Sequence, residues 1–117
     1  MKTFTNCAAQ GDLMIRRVAT LPEGLNSMTP EGGNYIVAHS ETGHHHVLEV
    51  ADNVRVYETD DPMVSYLEVV EATDKAEAVL KHLRDFHTHD AIRIDPGIYQ
   101  LRRQREYTPE GMRRVQD

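Results

Sequence analysis

The chain has 117 residues, and 19 acidic against 13 basic side chains give it a formal charge of −6 with histidine neutral. That length suits one domain, and a composition 39% hydrophobic and 27% charged is globular and excludes a disordered chain. The acidity argues against nucleic-acid binding through a basic surface, and a single cysteine, Cys7, excludes an internal disulfide or a Cys-rich zinc site.

Apolar positions alternate over short stretches between Gly, Pro, Asn and Asp. Asp12 to Ala19 is the first predicted strand, and the turn-rich segment from Leu21 to Gly33 is expected to be a surface loop. Asn34 to Ser40 reads as a strand, Glu41-Thr42-Gly43 as a turn, and His44 to Val50 as the returning strand. Val54 to Glu58 and Ser65 to Ala72 follow, separated by the Thr59-Asp60-Asp61-Pro62 turn. Late in the chain come Ala91 to Ile94, the Asp95-Pro96-Gly97 turn, and a strand from Ile98 to Tyr107. Strands at this spacing predict a mainly β domain over residues 1–117, a small antiparallel sandwich or barrel. Asp74 to Arg84 admits two readings. Ala76, Val79, Leu80 and Leu83 fall at helical spacing behind an Asp74 cap, which favours one short helix, whereas Ala78 to His82 also fits a short strand. No run approaches the ~20 apolar residues of a membrane span, and MKTFTNCAAQGDL lacks a signal-peptide block. The expected location is therefore the bacterial cytoplasm or a virion.

Seven histidines carry most of the chemical argument. If His44 to His46 open a strand, His44 and His46 share a face and His45 takes the other, so the pair can offer two imidazoles to one ion. Glu49 falls on the face of His45 in a regular strand and joins the pair only through a bulge. His39 can contribute from the paired strand. A second group comprises His82, Asp85, His87, His89 and Asp90. Imidazole and carboxylate ligands without thiolate suit Zn, Ni, Fe or Mn. The expected metal set is therefore His44, His46, His82 and His89 with Glu49, provided folding brings the two groups together. The alternatives are histidines that serve structure, an interface or a pH response, and, last, catalysis. No H-E-x-x-H, G-x-S-x-G, Walker or G-x-G-x-x-G pattern is present, so the sequence favours a non-enzymatic role and leaves enzymatic activity open.

Positive charge gathers near the end, where Arg102, Arg103 and Arg105 lie close together. They read as a solvated face over acidic neighbours, or as a partner-binding patch using arginine forks.

The string T-G-H-H-H before a β stretch, with a late P-G-x-Y turn, is similar to the cupin pattern, in which an H-x-H pair and a Glu bind metal inside a small β-barrel. His44 and His46 match the pair. Glu49 comes one residue too early, and no histidine follows Pro96-Gly97 at the expected offset. Over most of the chain, QGDLMIRRV, IVAHSETGHHHVLE and PGIYQLRRQREYTPEG resemble a group of small uncharacterised proteins carried by bacteriophages, prophages and bacteria. That resemblance implies a genomic setting and no particular reaction. The expected function is His-based binding of a divalent metal or ligand by a self-associating domain. The rival is a non-catalytic virion or capsid accessory that meets another phage protein.

Overall fold

The computed structural model describes residues 2–39, 45–71, 77–83 and 91–104, and the backbone alone of 105–108 and 111–114. Within these, twelve strands follow one another: β1 (Cys7–Gln10), β2 (Leu13–Val18), β3 (Asn26–Ser27), β4 (Asn34–Ala38), β5 (His46–Glu49), β6 (Val54–Glu58), β7 (Val64–Val69), β8 (Ala78–His82), β9 (Ile92–Ile94), β10 (Gly97–Arg103), β11 (Arg105–Thr108) and β12 (Gly111–Arg114). They form a six-stranded sheet in the order β1-β2-β10-β7-β6-β3, a four-stranded sheet in the order β4-β5-β8-β9, and the β11-β12 hairpin. Every pairing between these strands is antiparallel. Among the described residues neither sheet closes into a barrel and no helix is present.

Period-two alternation explains the arrangement. Leu13 and Ile15 of β2, Ser65, Leu67 and Val69 of β7, and Tyr99 and Leu101 of β10 are buried, with more exposed residues between them. Val37, Leu48, Leu80 and Ile92 of the four-stranded sheet join Leu13, Ile15, Leu67 and Leu101 in one apolar cluster, so the two sheets share a core. The N-terminal segment ties the sheets together at one side. Lys2 bridges to Ile92 beside β9, and the chain then enters the six-stranded sheet at β1. There Phe4 packs edge-on against Tyr99, and Arg17 lies over the Tyr99 ring and donates to its hydroxyl (2.9 Å). The Tyr99 hydroxyl in turn donates to the Asp95 carbonyl (2.6 Å). Gly97 opens β10 beside this corner, where a side chain would collide with the Arg17 guanidinium.

Residues 78–82 correct the expected helix. Ala78, Leu80 and His82 are buried in alternation with Val79 and Lys81, and the segment pairs with β5 and β9. Good helical propensity yields here because two neighbouring strands offer both backbone ladders and apolar cover for every second residue. Residues 72–76 and 84 lie outside the described residues. Two further strands are not among the expected ones. β1 precedes the first predicted strand, and β3 interrupts the segment from Leu21 to Gly33. The long C-terminal strand is divided at Gln104 into β10 and β11.

Candidate functional site

Five buried or nearly buried polar side chains meet between the sheets. A two-residue turn, Gly11-Asp12, joins β1 to β2 with Gly11 at φ 57°, a left-handed conformation that glycine adopts without steric cost. The turn is pinned by Gln104, whose N–H donates to the Asp12 carbonyl (2.8 Å). Asp12 is thereby held inside the protein, only 2% exposed. Arg103 ends β10 on the same strand face as Tyr99 and Leu101, and its Nη2 and Nε reach Asp12 Oδ2 at 3.0 and 3.3 Å. The opposite sheet supplies His46 from β5 and His82 from β8. These two are paired in register, and their rings stack with centroids 4.0 Å apart and planes 16° from parallel. A bulge in β4 next to Val37 sets Ala38 opposite His46 and completes the row.

Hydrogen-bond chemistry fixes the His46 tautomer. Gln10 donates its Nε2–H to the Leu80 carbonyl (3.0 Å), which turns its amide oxygen toward His46 Nδ1 (2.8 Å). An amide oxygen only accepts, so Nδ1 carries the hydrogen. His46 Nε2 then faces Asp12 Oδ1 at 3.2 Å. Burial pushes the His46 imidazolium down to about 4, helped by His82 and Arg103 and opposed by Asp12. Burial thus favours the neutral ring, and with the hydrogen on Nδ1 the Nε2 lone pair turns on a carboxylate oxygen.

His46 and His82, far apart in sequence, are brought into contact. The other expected ligands are not joined to them. Glu49 is exposed on the other face of β5, opposite Asn34. His39 meets the edge of the His45 ring, with centroids 5.2 Å apart. His44, Asp85, His87, His89 and Asp90 lie outside the described residues. No three His, Cys, Asp or Glu side chains among the described residues are grouped to hold a metal ion. Arg102 is exposed, Arg103 turns inward to Asp12, and the side chain of Arg105 is not among those described. Gln10 and Asp12 are not among the residues the sequence points to, and the sequence reads Arg103 as a surface residue. Arg103 carried a usable signal, because it shares the strand parity of Tyr99 and Leu101. Asp12 carries none, since an aspartate beside a glycine at the start of a strand is ordinarily solvated.

No helix among the described residues is long and apolar enough to cross a membrane. Comparison with curated proteins finds no match, and comparison with solved structures finds none either. A family profile described as a domain of unknown function, DUF8820, matches residues 9–104, a span that includes Gln10, Asp12, His46, His82 and Arg103. The chain belongs to the DUF8820 family.

Proposed function

We propose that this protein is a non-catalytic binding module built as a β-sandwich, and that it holds a divalent cation between Asp12 Oδ1 and His46 Nε2. One observation carries the reading. His46 Nε2 and Asp12 Oδ1 lie 3.2 Å apart in a buried site, and both are acceptors when the ring is neutral with its hydrogen on Nδ1. Two acceptors at that distance repel each other unless positive charge lies between them. The separation also suits two ligands of one ion, since atoms ~2.1 Å from a shared centre lie about 3.0–3.4 Å apart. Gln10 acts as the outer partner that commonly orients a ligating imidazole through its other nitrogen. Imidazole and carboxylate together suit Zn, Ni, Fe or Mn.

His82 is the candidate third ligand. Its ring lies parallel to that of His46, so the in-plane lone pairs of the two rings do not converge, and joint ligation requires the His82 ring to turn out of the stack. Burial at the meeting of two sheets favours a structural ion over a catalytic one, which keeps an open coordination position. The rival reading, a capsid or virion accessory, is weakened at Arg103, whose guanidinium is engaged with Asp12 and not presented to a partner. The resemblance to phage-borne proteins supports a phage or prophage setting for either role.

A single proton between the two atoms would meet the same electrostatic demand, and metal analysis separates the two. Untagged protein from metal-replete medium is expected to carry a stoichiometric divalent ion. His46→Ala and Asp12→Asn should lose it, and His45→Ala should retain it. Metal-free wild type, or unchanged metal in the first two variants, would overturn the proposal.

A further inference from the structure

A second site lies on the other side of Arg103. A cavity of about 550 Å³ opens between β4 of one sheet and the β6-β7 hairpin of the other, a volume within the range of small-molecule sites. Its apolar walls include Met28, Ile36, Val37 and Met63, and Glu31, Glu58, Asp60 and Asp61 also line it. Ser65 lines it too, only 5% exposed, and its hydroxyl has no hydrogen-bond partner among the described residues. A buried hydroxyl without a partner is uncommon in a folded protein and calls for an explanation. Glu58 is the cross-strand partner of Ser65, so the two side chains project from the same face of the hairpin.

The hairpin tip is already rigid. The Thr59 hydroxyl accepts from the Asp61 N–H (3.0 Å) and lies within donating distance of the Asp61 and Val64 carbonyls, and the Asp61 carboxylate accepts from the Met63 N–H (2.8 Å). Asp60 and Asp61 therefore sit on a preorganised turn. His39 and Arg103 are the other titratable groups lining the cavity, and the Arg103 charge is matched by Asp12. What remains is four carboxylates over an apolar interior with one hydroxyl able to accept a hydrogen bond. An anion would meet four like charges here.

We infer that this cavity binds a primary ammonium or guanidinium group carried on a short apolar stem. Carboxylates recognise the charge, the Ser65 oxygen accepts one N–H, and the methionine-lined wall covers the stem. The source is either a free small amine or a lysine or arginine side chain of another protein. The inference is independent of the Asp12–His46 site.

Titration of the full chain with n-butylammonium, followed by amide chemical shifts in nitrogen-15-labelled protein, tests it. Saturable shifts at about millimolar concentration are expected around Ser65 and the 59–63 turn, with none from butyrate, which has a similar stem and the opposite charge. Blocked lysine supplies the same stem on a peptide backbone. Binding equal to or tighter than that of butylammonium assigns the source to a protein side chain, and binding by the free amine alone assigns it to a small molecule. Glu58→Gln with Asp60→Asn should weaken binding about fivefold. Ser65→Ala should weaken it by a similar factor with folding intact, and metal content should be unchanged in each variant. Equal shifts from butyrate and butylammonium, absence of saturation, or wild-type affinity in these variants would overturn the inference.

Discussion

Arg103 separates two buried regions that treat their polar groups differently. On one side, His46 is hydrogen-bonded to Gln10 (2.8 Å) and Asp12 to Arg103 (3.0 and 3.3 Å), His46 Nε2 faces Asp12 Oδ1 at 3.2 Å, and the His82 ring stacks on His46. On the other, the Ser65 hydroxyl borders an acidic cavity with no partner among the described residues. The closed network joins the two sheets, so removing one member strands another inside the protein. Removing the Ser65 hydroxyl orphans no polar group among the described residues. Buried polarity thus has two meanings here, a fastening in the first region and a recognition group in the second.

The sharpest way to break this contrast is to unbalance the network. Arg103→Leu leaves the Asp12 carboxylate buried without its cation and should cost about 3–5 kcal/mol in urea unfolding. Combining it with Asp12→Leu should recover much of that loss. A loss no larger than that of an exposed arginine would show that Asp12 is not held by Arg103.

Acid provides the next test. With the folded-state value of His46 at about 4 and the unfolded value near 6.5, the unfolded chain binds the proton first. Stability from this group is complete above about pH 6.5 and is lost as pH falls toward 4. With chelator present, up to about 3 kcal/mol should disappear across that window. His46→Leu should flatten the profile there, whatever its effect on stability at neutral pH.

Tyr99 is a satisfied polar group outside the network, and its loss should be intermediate. Tyr99→Phe removes the bonds to Asp95 and Arg17 and should cost about 1–2 kcal/mol by thermal or urea unfolding. Ser65→Ala should have the smallest effect, within about 0.5 kcal/mol of wild type. A loss comparable to that of Tyr99→Phe would mean that the Ser65 hydroxyl is bonded in solution and would remove the contrast.

Much of the fold was legible because alternation is local. β2, β4, β6, β7, β9 and β10 each follow the apolar pattern of their own residues. The 78–82 segment was ambiguous because Ala, Leu and Lys favour helices, and only its neighbours β5 and β9 decide for a strand. At the site, the histidines drew attention by their number, but which of them turn inward is set by pairing between sheet strands. His46 and His82 meet because residues 36 positions apart fall opposite each other in the β5-β8 ladder. Asp12 reads as the start of a strand but sits in the β1-β2 turn, where its burial depends on the approach of the other sheet. Neither fact is written in a short stretch of sequence.

The placement of hydrogens on His46 is open to direct observation. Long-range nitrogen-15 correlation spectra at neutral pH should show a protonated Nδ1 and an Nε2 without its own hydrogen, displaced further when a divalent ion is added. A ring protonated at Nε2 with bare Nδ1, or protonated at both nitrogens, would contradict the geometry on which the cation site depends.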